Sequence, residues 1–131
     1  MGGYAKHQER LDALNALGRQ LARRARSKCE VCGASQVALA PFEVPPVPKE
    51  PDVDQTLFIC QTCRDGLDGG ALDPNHWRLV ETAIWSDFSP VKVCAYRVAS
   101  RLHDDGVAWA TELLDMAYLT DEERQWVESD S

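Results

Sequence analysis

The sequence predicts a mostly helical α+β fold, one small β-hairpin surrounded by about five helices. Three observations carry this. Two Cys-x-x-Cys pairs, Cys29/Cys32 and Cys60/Cys63, bracket two short strand-like stretches. Helical apolar periodicity fills the chain on both sides of them. A length of 131 residues, 44% apolar and 27% charged, suits one small domain. The expected organisation is a single domain over residues 1–131. It runs from a basic amphipathic helix in residues 1–28, through a four-cysteine hairpin module in 29–70, to a helical part with an acidic end in 71–131.

Residues 8–27 read as the first helix, because Leu11, Leu14, Gly18, Leu21 and Ala25 recur at three- and four-residue steps. Arg19, Arg23 and Arg26 fall on the opposite face. Residues 36–44 and 56–60 suit the two strands of the hairpin. Their connection holds Pro45, Pro46, Pro48 and Pro51, which makes it stiff, extended and non-helical. A short segment after Cys63 stops at Gly69-Gly70. Asp73-Pro74 places a capping residue before a proline at the first helical position, opening a helix to about Trp85. Ser89-Pro90 repeats the device for a helix ending near Gly106, with Val91, Cys94, Ala95, Val98 and Leu102 on one face. A further helix covers about residues 107–118, and Thr120 with Glu123 forms a capping-box pattern for the last.

The cysteines carry the chemistry. Each Cys-x-x-Cys lets two sulfurs of a tight turn face one ion at about 2.3 Å, and two such turns complete a tetrahedron. Twenty-seven residues separate the pairs. Gly33 follows the first pair, where the knuckle needs a residue tolerant of positive φ. The second pair is expected to open a helix, whose amides and dipole favour thiolate. Cys29, Cys32, Cys60 and Cys63 are therefore expected to hold one structural Zn2+, in a treble clef or a zinc ribbon. With all four ligands supplied by the protein, no position remains for a catalytic water. A redox centre of the thioredoxin type takes one such pair in a βαβ setting, not two around a hairpin. Cys94, on an apolar helical face, reads as a small buried hydrophobe. A reactive or dimer-linking thiol is the alternative reading of Cys94.

The formal charge of −7 is unevenly spread: residues 1–28 carry +5 and residues 29–131 carry −12. The longest uncharged run, residues 31–42, is too short to span a membrane, and the opening residues show no signal-peptide core. A cytoplasmic protein without a membrane partner is expected. The stripe of Arg19, Arg23 and Arg26, with Arg24 and Lys28 nearby, offers a nucleic-acid or protein-partner surface. The acidic remainder of the chain, or of a second copy, also suits those cations.

Treble clefs also carry HNH nuclease sites, which need a histidine on the hairpin strand and a further ligand on the helix. The hairpin stretch Gln36-Val37-Ala38-Leu39-Ala40-Pro41-Phe42-Glu43-Val44 has none, and His76 lies at a helix start. Asp73 is explained as a cap, and His103 as a cation beside the last carbonyls of its helix. No phosphate-binding glycine loop, G-x-S-x-G or H-E-x-x-H is present, and no small-molecule substrate is evident. Trp77, Val80 and Ile84 share one helical face and read as core, while Gly66 fits a turn.

The peptides Ala25-Arg26-Ser27-Lys28-Cys29-Glu30-Val31-Cys32-Gly33, Glu43-Val44-Pro45-Pro46, Cys60-x-x-Cys63, Asp73-Pro74-Asn75-His76-Trp77-Arg78 and Glu112-Leu113-Leu114-Asp115-Met116 resemble the amino-terminal zinc-ribbon region of bacterial PhnA-like proteins. The resemblance covers about residues 20–128. It implies metal ligation by Cys29, Cys32, Cys60 and Cys63, and an association with phosphonate-utilisation genes, without implying a reaction. Members commonly continue into a carboxyl-terminal β-domain, which residues up to Ser131 do not include. The expected function is that of a non-catalytic, structural-zinc interaction module with a protein partner or a second copy of itself. Nucleic-acid binding through the arginine stripe is the alternative, and a divergent HNH-type hydrolase at His76 comes third.

Overall fold

A computed structural model describes the backbone of residues 2–129 and the side chains of residues 8–129. Helices α1 (Gly2–Ala16) and α2 (Gly18–Ala25) lead into strand β1 (Leu39–Glu43). Strand β2 (Thr56–Cys60) runs directly into helix α3 (Gln61–Leu67). Then follow the single turns α4 (Pro74–Trp77) and α5 (Val80–Ala83), the long α6 (Ser89–Asp104), α7 (Ala108–Met116) and α8 (Asp121–Glu128). The chain is mostly helical around one antiparallel hairpin, as expected.

The helices are more numerous and more broken than the predicted five. The stretch 8–27 is two helices meeting at Leu17, where Gly18 weakens the ladder and offers no side chain to hold the next turn. Its apolar stripe deepens along the chain, from exposed Leu11 to buried Leu21 and Ala25. The helix expected over 73–85 is two separate turns. Asp73 caps the first through the Asn75 amide, with Pro74 at its start. Ser89 is not a cap: Phe88 holds that position, and the Ser89 hydroxyl donates to Glu123 at 2.9 Å. The proline connection also includes one turn of 3-10 helix at Val53–Gln55, capped by Asp52.

The hairpin pairs Leu39 with Cys60 and Glu43 with Thr56. β1 starts later than predicted because Gln36 sits at φ 59, outside the extended region. Proline 41 is tolerated because β1 is an edge strand. β2 buries Leu57 and Ile59 against α6, whose face of Val91, Cys94, Ala95, Val98 and Leu102 is buried as the periodicity requires. Trp77, Val80 and Ile84 complete this core. Gly66 lies inside α3 rather than in a turn, and the Trp77 indole occupies the space a side chain would need. Arg101 of α6 donates to the Gly66 and Gly70 carbonyls, tying α6 to the end of α3. The capping box of Thr120 and Glu123 forms with both bonds present. No helix among the described residues is long and apolar enough to cross a membrane.

Candidate metal centre

Three local structures deliver the cysteines. The turn after α2 presents Cys29 and Cys32, closed by the Gly33 amide on the Cys29 carbonyl (2.9 Å), with Gly33 at φ 77 as the knuckle requires. Cys60 ends β2 and is the residue before α3; Cys63 sits in the first turn of α3. The second pair therefore opens a helix, and is not a knuckle on a second hairpin. All four sulfurs lie within 4.8 Å of one another. The Cys29–Cys63 and Cys32–Cys60 separations are 3.8 and 3.7 Å. A tetrahedron of sulfurs about 2.3 Å from a central ion has edges of about 3.8 Å, so these residues fit one tetrahedrally coordinated ion without rearrangement along those two edges.

The surroundings favour thiolate. Backbone amides of Cys32 and Cys60 each donate to Cys29 Sγ at 3.4 Å. His76 Nε2 lies 3.4 Å from Cys63 Sγ, a contact the sequence reading missed. No sequence signal marks it, since His76 lies in the single turn α4 and the path back to Cys63 depends on the 68–73 connection. A hydrogen bond from Cys63, outweighing burial, together with the amide donors lowers Cys29 to about 4. Burial raises Cys32 to about 11, with the neighbouring Cys29 thiolate adding to it. The Cys63 thiol is pushed up by its hydrogen bond to Cys29 and by burial. A dication would stabilise thiolates held this close together by balancing their charge.

The knuckle is fastened to β2 independently of the metal. The Glu30 amide donates to the Phe58 carbonyl (3.1 Å), and the Phe58 amide donates to the Glu30 carboxylate (2.8 Å). Arg24 grips the same carboxylate with two bonds of 2.7 and 2.8 Å and also donates to the Val53 and Thr56 carbonyls. Its guanidinium carbon lies over the Phe88 ring, 4.6 Å from the centroid. Arg24 thus clamps the knuckle to β2 through these bonds, while the other cations of the expected partner-binding stripe make none of them. The charge sits where four acceptors converge, and nothing in helical periodicity marks those acceptors.

Arg19, Arg23, Arg26 and Lys28 are exposed. Arg26 caps α2 in the left-handed region at φ 54, and Lys28 forms a bridge with Ser35. Cys94 is 3% exposed in the α6 core and does not join the cluster. His103 Nδ1 meets Thr111 Oγ1 at 2.6 Å. No family model, curated protein or solved structure matches this chain. The four-cysteine cluster that can hold a metal ion therefore rests on its own geometry.

Proposed function

We propose that this protein is a non-catalytic interaction module whose fold is stapled by one structural Zn2+ on Cys29, Cys32, Cys60 and Cys63. The observation that carries the reading is the pair of sulfur separations, 3.8 and 3.7 Å, matched to a tetrahedral thiolate site. The order knuckle, hairpin, helix start supports a treble clef. Bound there, zinc supplies a cross-link between the turn after α2, the end of β2 and the start of α3. The protein's own residues do the rest: amides of Cys32 and Cys60 stabilise one thiolate, and His76 faces another. The same proposal places the chain beside the zinc region of PhnA-like proteins, on the peptides that resemble it.

Structural zinc of this kind contributes on the order of 10–16 kcal/mol of apparent binding energy, so removing it decides whether the module folds. The test is metal analysis by native mass spectrometry followed by chelation. One zinc per chain, with helicity lost on chelation, supports the reading; a metal-free chain with full helicity overturns it. A second reading, binding of nucleic acid, rests on the exposed side chains of Arg19, Arg23 and Arg26. Salt-sensitive polynucleotide binding lost on replacing these three arginines supports it.

A further inference from the structure

We propose that the partner of this module is a second copy of the chain. The exposed corner between α7 and α8 of one copy seats in the groove between α2 and β1 of the other. The inference rests on the reading of the protein as an interaction module and names its partner.

The groove is an open space of about 280 Å³ lined by Ala22, Ser27, Gln36, Val37, Leu39 and Phe58. Its floor is largely apolar, with Val37 exposed. The segment that supplies Ala22 and Ser27 to it is rich in exposed cations. Arg19, Ala22 and Arg26 share one face of α2 at three- and four-residue steps, Arg23 lies one turn from Arg19, and Lys28 follows the helix. None of these four cations has a side-chain hydrogen bond or ion pair among the described residues, in contrast to Arg10, Arg24 and Arg64. An apolar floor supplied in part by a segment with four unpaired exposed cations suits an apolar anchor flanked by acids.

The chain carries such an anchor. Met116 and Tyr118, 62% and 68% exposed, are the most exposed large apolar side chains among the described residues. Glu112, Asp115, Asp121 and Glu122 surround them in the sequence, all exposed and none in an ion pair among the described residues. Asp115 sits in the last turn of α7, where the helix dipole disfavours a negative charge, so local stability does not explain it. The corner is also held rigid. Leu119 is buried directly after Tyr118, and the capping box fixes the start of α8. A preorganised anchor loses little freedom on docking. Phosphate backbones match the cations but not the apolar floor, which leaves nucleic acid as the competing occupant.

The test uses the full zinc-loaded chain in sedimentation velocity across a concentration series, with zinc measured in the same samples. Self-association is expected, weakened about tenfold or more by Arg19→Glu with Arg23→Glu, and equally by Asp115→Lys with Glu122→Lys. Combining all four substitutions restores attraction across the contact and returns the affinity to within about threefold of the original. These positions are exposed, and retained zinc shows that each variant folds. A monomer at every concentration, or a combined variant that stays as weak as its parents, overturns the proposal. So does a monomer whose arginine face binds polyuridylate. A monomer with one zinc per chain overturns only the self-contact, whereas a zinc-free folded chain overturns the module itself.

Discussion

Replacing Gly66 by alanine separates two opposed effects, and their sign tests how α3 is held. Gly66 lies within a helix, where alanine is favoured over glycine by about 1 kcal/mol. A methyl group at this position, however, meets the Trp77 indole at 2.6 Å from Cζ2, 2.9 Å from Nε1 and 3.0 Å from Cε2. Ordinary carbon contacts fall at about 3.5–4.0 Å, so the overlap approaches about 1 Å. Trp77 is 2% exposed and surrounded by core side chains, so it cannot swing into solvent. Overpacking of this kind costs about 1–3 kcal/mol against a helical gain of about 1 kcal/mol, leaving Gly66→Ala destabilised by up to about 2 kcal/mol. Urea unfolding at fixed saturating zinc reads this as a lower midpoint with an unchanged slope. In a Trp77→Leu background the obstruction is gone, and the same substitution becomes neutral or stabilising. Stabilisation of the unmodified protein by Gly66→Ala would refute the packing described for α3 against α4.

Three further outcomes are expected. Arg24→Ala leaves the Glu30 carboxylate and the Val53 and Thr56 carbonyls without their donor and lowers stability by about 2–4 kcal/mol in the same unfolding assay; Arg23→Ala, on the exposed face, changes it by less than about 0.5 kcal/mol. His76→Phe removes the nitrogen beside Cys63 and weakens zinc affinity about tenfold to a hundredfold in competition with a chelator, while helicity of the zinc-loaded protein is retained. Glu123 is buried, which raises its pKa, but bonds from Thr120, Ser89 and Lys92 outweigh this and hold it below the ordinary glutamate value. Its stabilising contribution is therefore complete above about pH 4.3 and lost as pH falls through the lower folded value; carbon-detected NMR titration of the Glu123 carboxyl gives the midpoint, and one at or above the ordinary value contradicts the network.

The clustering of the four cysteines was legible because Cys-x-x-Cys spacing is a local geometric statement, and Gly33 and the strand-to-helix step at Cys60 agreed with it. The core face of α6 was legible for the same reason, since 3.6-residue periodicity records burial directly. The bonds of Arg24 to Glu30 and to the carbonyls of Val53 and Thr56 were not legible, because these groups are brought together only by the folded knuckle and hairpin. Gly66 was read as a turn residue because sequence does not show that an indole eleven positions later lies over it. His76 escaped for a related reason: its neighbour is set by the bend between α3 and α4. The break at Leu17 and the split of residues 73–85 follow from weak helical stretches whose continuity tertiary contacts decide.

The most direct measurement is X-ray absorption spectroscopy at the zinc edge on the purified, metal-loaded chain. Four sulfur neighbours at about 2.3 Å are expected, with no nitrogen in the first shell and His76 outside it. A first shell of three sulfurs and one nitrogen at about 2.0–2.1 Å, which is the pattern of His76 displacing Cys63, contradicts the four-thiolate centre.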